Sequence, residues 1–280
     1  MPLKDHLGKL LAFEAVCRLK SFSQAALELH VSQPAVSKAI SVLETALGVE
    51  LINRTRKGVF PTVQGSKLLR SSNDILAIAK AFDDQSEDSK RLLRIGTKEP
   101  IAAHLLSEFI GIESDRTIEL IVERSNAHLL RLLLRGELHL LVIPESKFPQ
   151  NVRRSTLFSS RWGAYASPTA TSRRLIVFPE TLAGKGKLQD YLAIEKEAFK
   201  VQSFETALVM AAKGMGMAVL PAWVARDHLR AGTLIESKSK EVSQVPQTRV
   251  CAVTSVHREN SISATVRKLR QHCSNLGLHP

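Results

Sequence analysis

Apolar residues recur at helical spacing over Leu3–Lys20, where Leu7, Leu10, Leu11, Phe13, Ala15 and Val16 form one stripe and predict a first helix. Ser21-Phe22-Ser23 interrupts it. Ser23 is placed to cap a second helix, Gln24–Leu29, because a hydroxyl at that position accepts a free first-turn N–H. Ala25 and Ala26 leave room for a close neighbour. Ser32 stands in the same way before a third helix that runs to about Leu47, with Gln33-Pro34 in the first turn, where proline's missing N–H does no harm. Val36, Ile40, Leu43 and Leu47 fall on its inward side, and Gly48 ends it. Two short strands, Leu51–Asn53 and Val59–Pro61, flank Arg54-Thr55-Arg56-Lys57-Gly58, with Gly58 supplying the positive φ of the turn. A basic hairpin after a helix-turn-helix is a wing. Thr62 then caps a long helix to about Asp88, with Leu68, Leu69, Ile75, Leu76, Ala79 and Phe82 on one stripe. Such a helix, with no neighbouring core of its own, is expected to pair with a partner helix. The polar run Asp83–Lys90 closes the segment as a linker.

From Leu92 the period changes. Leu93–Ile95 reads as a short strand, Gly96–Pro100 as a loop and Ala102–Ile110 as a helix. Ile118–Glu123 is a strand, Ala127–Arg135 a helix and Leu138–Ile143 a buried strand, an alternation that implies a parallel sheet with helices on its faces. A second run resembles the first: strands Trp162–Ala166 and Leu175–Phe178, a helix Glu205–Lys213, and a strand Met217–Leu220. Strand Arg249–Thr254 and helix Ser261–Cys273 follow. The expected fold class is α/β: a winged helix-turn-helix over residues 1–61, a linker and dimerisation helix over 62–90, and a two-lobed α/β domain over 91–280. Its lobe I takes about 91–160 and 250–280, and lobe II about 161–249. Ligands in such folds bind at strand ends near the lobe boundary.

The 280 residues exceed one small DNA-binding module, which agrees with this division. Net charge of +12 favours a polyanionic partner. Residues 1–70 hold ten Lys/Arg against five Asp/Glu, and residues 92–280 hold 26 against 17. Most of the excess therefore lies outside the helix-turn-helix, where solvated surface, an anionic ligand or additional DNA contact all account for it. No apolar run approaches the ~20 residues that span a bilayer, and Lys9 and Glu14 interrupt the N-terminal segment, so a cytoplasmic protein without a membrane partner is expected. Cys17, Cys251 and Cys273 are far apart, and the nine histidines show no ligand spacing. Buried free thiols, no metal and no cofactor are the expectation.

The chemistry of the third helix follows from its position. A major groove admits one helix, and exposed residues near its N-terminus reach the base edges. Here those are Gln33, Pro34, Ser37 and Lys38. Gln33 pairs with adenine N6/N7, Lys38 donates to guanine O6/N7 or to phosphate, and Pro34 offers an apolar surface to a thymine methyl. Ser23, Ser32 and Thr62 are capping residues first, with neighbouring N–H groups available to phosphate. Arg54, Arg56 and Lys57 on the wing face phosphate or the minor groove; taken alone they also fit a solvated turn. An enzyme is the rival reading of two lobes around a cleft, but the sequence has no GxSxG, no GxxxxGK and no metal spacing, and Glu195 and Glu197 lie on a charged stretch. A purely architectural DNA binder would need no second domain of this size.

The set Ser21-Phe22-Ser23-Gln24-Ala25-Ala26, Val31-Ser32-Gln33-Pro34-Ala35-Val36-Ser37-Lys38, Leu43-Glu44, Leu47-Gly48-Val49, Leu51-Ile52 and Arg54-Thr55 closely resembles the DNA-binding domain of LysR-type transcriptional regulators. Leu93-Arg94-Ile95-Gly96-Thr97 is similar to that family's first effector-domain strand, and the segments Leu132–Val142 and Ala211–Pro221 to its later signatures. The resemblance implies a periplasmic-binding-protein-like effector domain, dimerisation through the linker helix, a tetramer, an interrupted-palindrome promoter site, RNA polymerase as a further partner, and no enzymatic turnover. It also implies a small-molecule effector at Thr97 and Lys98, at Ser125 and Asn126, and at Gln202, Ser203 and Phe204. Lys98 tilts the expectation towards an anionic effector, although a surface lysine fits as well. Two departures stand out. Thr181–Lys200 is brief and lysine-rich, and it lacks the cysteine pair of peroxide-sensing members, so a thiol peroxide switch is not expected. Met210, Met215 and Met217 fall where the family carries core aliphatics and read as packing.

Overall fold

The computed structural model describes residues 7–55, 58–83, 92–112, 116–172, 174–178, 198–238, 242 and 245–280. Arg56 and Lys57 of the wing, most of the linker run Asp83–Lys90, the stretch with Glu195 and Glu197, and the side chains of Leu76, Ala79 and Phe82 lie outside the described residues. The chain divides into two compact units, residues 1–85 with 134–136 and residues 86–133 with 137–280.

The first unit is built around α1, Leu7–Leu19. Leu10, Ala12, Phe13, Ala15, Val16 and Cys17 are all buried, so the helix is covered on more sides than a single stripe predicts; Leu11 stands outside at 40% exposure. α2 (Phe22–Glu28), α3 (Gln33–Leu47) and α4 (Val63–Asp83) all pack against it. The α2 cap is Ser21 and not Ser23. Ser21 is extended (φ −153°) and its Oγ accepts from Gln24 N at 3.3 Å. The helix starts early because Phe22 is drawn into the core, which leaves Ser23 exposed inside the first turn. At α3 the cap is as expected: Ser32 Oγ accepts from Ala35 N at 3.3 Å, Pro34 sits in the first turn, and Gly48 closes the helix at φ +67°. Val36, Ile40 and Leu43 are buried, but Leu47 is 40% exposed, since the helix runs out one turn past the last buried position.

The wing strands β1 (Ile52–Thr55) and β2 (Gly58–Pro61) pair antiparallel, with Thr55 opposite Gly58. Thr62 Oγ1 accepts from Gly65 N at 2.9 Å and donates to Glu50 O at 2.7 Å, which fixes the start of α4. Gly65 permits this join, because a Cβ there would lie 2.0 Å from Leu51 O. Leu68, Leu69 and Ile75 pack against the core of this unit. The first part of the α4 stripe therefore has a neighbouring core, contrary to the sequence expectation.

Among the described residues, the second unit holds two five-stranded sheets. The first has the order β4-β3-β5-β12-β6, from Thr117–Val122, Leu92–Thr97, Leu140–Pro144, Thr248–Ser255 and Val152–Ser160. β3 is parallel to β4 and β5, and β12 is antiparallel to β5 and β6. The second has the order β11-β7-β10-β8-β9, from Ile235–Ser237, Trp162–Ala166, Met217–Pro221, Leu175–Val177 and Phe199–Lys200. Among the described residues, its longer helices are α5 (residues 99–112, with a π-helical stretch Ala102–Leu106), α6 (Asn126–Leu134), α7 (Phe204–Ala212), α8 (Ala222–Arg230) and α9 (Glu259–Asn275).

The expected loop at Gly96–Pro100 is not one. Gly96 and Thr97 continue β3, and α5 begins at Glu99 with Pro100 in its first turn. Gly96 is needed in the strand because a Cβ would meet methyl carbons of Leu138, Leu141 and Leu129 at 2.6–2.9 Å. Strand β6 has no period-two signal. A register shift opposite Val250/Cys251 turns the consecutive Leu157 and Phe158 both inward, at 0% exposure. Helix α8 is masked in another way: its buried Arg226 is held by Asp227 at 2.9 Å and by Glu108. Met210 and Met217 pack against the core, whereas Met215 is 44% exposed and does not serve as packing. All three cysteines are buried free thiols. Burial, with the Glu14 carboxylate adding to it, pushes Cys17 up to about 12, and burial pushes Cys273 up to about 12 and Cys251 upward. Thiols kept protonated are poor nucleophiles.

Candidate nucleic-acid interface and ligand cavity

Because Val36, Ile40 and Leu43 anchor α3 inward, its helical period leaves Gln33, Pro34 and Lys38 exposed and Ser37 half-buried. Two charges belong to this helix. Glu44 is consumed inside the fold, its Oε1 accepting from Leu51 N at 2.8 Å and Ile52 N at 3.2 Å, which ties the wing to the helix. Lys38 remains exposed. Arg54 lies with its guanidinium 4.3 Å from the centre of the Phe22 ring and donates from Nη2 to Ser37 Oγ at 3.3 Å, so the wing cation and a predicted base-reading residue touch. Lys20, at φ +53°, accepts at its carbonyl from Val59 N at 3.2 Å and places its ammonium 5.2 Å from the Phe60 ring centre. Arg18 joins α1 to α2 through Glu14 and Glu28. Ser32 and Thr62 are engaged as caps. Sequence reasoning missed the roles of Glu44, Lys20 and Arg18, each of which ties one element of the unit to another.

In the second unit, strand ends and helix starts of both sheets line a cavity of about 870 Å³. Five predicted residues line it: Lys98, Asn126, Gln202, Ser203 and Phe204. Thr97 does not. It is fully buried and its Oγ1 donates to Val142 O at 2.7 Å, as a strand residue must do in a sheet interior. Ser125 is also absent from the lining; its Oγ accepts from His128 N at 3.2 Å and caps α6. Lys98 Nζ donates to the Arg124 carbonyl, so its charge is partly spent on the frame. Ser203 Oγ accepts from Glu205 N at 3.1 Å and starts α7.

The lining residues that sequence reasoning missed carry much of the chemistry. Glu99 and Arg124 stand one position from Lys98 and Ser125, so the strand-end rule pointed to their neighbourhood. Glu123, Trp162 and Arg249 stand at the ends of expected strands without having been singled out, and Glu145 and Trp223 come from segments with no local signal. Glu145 accepts from Arg154 at 2.6 Å and from Arg249 at 3.4 Å. Trp162 Nε1 donates to Thr248 Oγ1 at 2.9 Å, and Phe204 stands edge-on to Trp162 and Phe178 with centroids 6.1 and 5.3 Å away. Burial first, then the neighbouring Glu205 carboxylate, raise the proton affinity of Glu99 above the ordinary carboxylate value. Among the described residues, no group of three or more His, Cys, Asp or Glu is arranged to hold a metal, and no helix is long and apolar enough to cross a membrane.

Both units match known families. Residues 7–66 match the description "Bacterial regulatory helix-turn-helix protein, lysR family", and residues 86–276 match "LysR substrate binding domain". A probable RuBisCO transcriptional regulator of Thalassiosira pseudonana is 38% identical over 116 residues, 40% of this chain and 38% of that protein. The chain spans less than half the length of the curated relatives it matches. The fold is similar to that of full-length LysG from Corynebacterium glutamicum, with a TM-score of 0.67 at 20% identity over 98% of this chain and 99% of that one. It is also similar to ArgP from Mycobacterium tuberculosis, with a TM-score of 0.68 at 22% identity over 97% of each. With family descriptions matched over both of its units, the chain belongs to the LysR family of bacterial regulatory helix-turn-helix proteins.

Proposed function

We propose that this chain is a cytoplasmic transcriptional regulator that reads double-stranded promoter DNA with α3 and responds to a small molecule in the cavity of its second unit. The observation that carries the reading is the exposed start of α3. Gln33, Pro34 and Lys38 are free to meet base edges, while the helix's acid, Glu44, is tied to backbone N–H groups. Gln33 reads adenine, Lys38 guanine or phosphate, and Pro34 a thymine methyl, with Ser37 beside them. Ser23, Ser32 and Thr62 stand at helix starts that suit phosphate, and Arg54, Arg56 and Lys57 supply the wing's charge.

Residues 1–61 are assigned to DNA reading, 62–90 to pairing and 91–280 to sensing, with no turnover. Pairing falls to α4 beyond Ile75, where the apolar stripe continues in sequence through Leu76, Ala79 and Phe82. A two-fold pair of α3 helices reads an interrupted palindrome, and pairs of dimers that touch RNA polymerase complete the assembly. The LysG structure is described with bound effector Arg, which supports a small-molecule effector in this fold. Selection of bound sequences from a random DNA pool tests the reading. Two inverted half-sites on one face of the duplex are expected; a pool with no enriched sequence overturns it.

A further inference from the structure

The cavity lining carries three cations, Lys98, Arg124 and Arg249, and three carboxylates, Glu99, Glu123 and Glu145. A dicarboxylate would bring its charges among three like ones, and so would a diamine. Several of these groups already have partners: Arg249 and Arg154 serve Glu145, Lys98 serves the Arg124 carbonyl, and Glu123 lies 4.0 Å from His128. Glu99 and the Arg124 guanidinium form no ion pair with each other or with another described residue, although Arg124 is near enough to lower the proton affinity of Glu99. The cavity therefore offers one negative group, Glu99, and one positive group, Arg124, that no described ion pair engages.

The surroundings strengthen each end. Glu99 sits beside the Ser203 hydroxyl and within the field of Glu205, whose Oε1 is 2.5 Å from His104 Nε2, so an ammonium at Glu99 relieves a repulsion between carboxylates. Arg124 stands two residues before α6, a nine-residue helix whose first turn adds its positive end to the guanidinium. Trp162, Phe178 and Phe204 form the apolar wall. We infer that the cavity takes a dipolar ligand of the amino-acid class, with its carboxylate at Arg124 and the start of α6 and its ammonium at Glu99. The inference rests on the proposed reading of the cavity as an effector site, and it replaces the anionic effector that Lys98 alone suggested.

Calorimetric titration of the full chain with a panel of L-amino acids, each beside its decarboxylated amine and its deaminated acid, tests it. At least one amino acid is expected to bind, with both of its analogues at least 10-fold weaker. Glu99→Gln should weaken the amino acid at least 10-fold and leave the deaminated acid unchanged. Arg124→Gln should weaken the amino acid and leave the amine unchanged, a crossed pattern that general damage to the fold does not produce. An amine or deaminated acid that binds as tightly as its parent overturns the class, and so does a panel in which no amino acid binds. A bound acid or amine that shifts operator affinity leaves the effector reading standing while removing the amino-acid class. Operator affinity indifferent to every ligand that fills the cavity removes the effector reading itself.

Discussion

The candidate DNA-reading residues Gln33, Pro34, Ser37 and Lys38 come from two turns of one helix, whereas the cavity gathers Lys98, Arg124, Glu145, Trp162, Ser203 and Arg249 from six separate segments. In the first unit a single period of 3.6 residues decides which side chains face out, once three apolar anchors face in. In the second, no local pattern decides it, because strand register and sheet order bring the groups together. A surface carried on one element tolerates change elsewhere in its unit as long as that element is held. A convergent cavity depends on many joins at once.

This contrast can be broken at several points. The largest effect is expected at Gly65→Ala, where a Cβ must displace the Leu51 carbonyl 2.0 Å away. A cost of about 3 kcal/mol in urea denaturation is expected, with DNA binding impaired and ligand binding in the cavity retained; an unchanged midpoint refutes the close join. Next come Gln33→Ala and Lys38→Ala, each expected to cost ~1–3 kcal/mol at the cognate site and to relax base choice there. Operator affinity indifferent to both removes α3 as the reader.

A smaller loss is expected at Leu69→Ser, about 2 kcal/mol of stability. Because Leu69 packs on its own unit's core, the loss should be the same at low and high protein concentration; a loss that grows on dilution would place Leu69 in a dimer contact instead. The smallest concerns the Arg161–Glu236 pair, half-exposed on the second unit. The Arg161 guanidinium holds the Glu236 carboxyl below the ordinary carboxylate range, so its stabilisation is present above the unfolded value and lost as pH falls through the folded one. Glu236→Gln should remove about 0.5 kcal/mol at neutral pH and nothing in acid, read from Tm against pH.

Much of the first unit was readable because its signals are local. Ser32, Pro34 and Gly48 bound α3 by capping chemistry, and Thr62 starts α4 in the same way. The misreadings share one cause, tertiary cover. Phe22 pulled the start of α2 back to Ser21, and the first unit's core absorbed the first part of the α4 stripe. In the second unit the alternation of strands and helices gave most elements. A bulge hid β6, a buried and paired Arg226 hid α8, and Gly96 looked like a loop residue although three leucines require it in a strand.

The sequence by itself determined most of the succession of elements, the family and the outward face of α3, because caps, periodicity and turn glycines act between residues a few positions apart. Tertiary structure alone decided what the polar side chains do: that Glu44 serves the wing, that Arg54 rests on Phe22 and Ser37, and that Thr97 is spent within a sheet. It also balanced the cavity's charges, since Glu99, Arg124, Glu145 and Arg249 meet only when strands β3, β4, β5 and β12 have taken their order in one sheet. Hydrogen bonds and ion pairs depend on where distant backbone segments come to rest, and spacing along the chain carries no record of that.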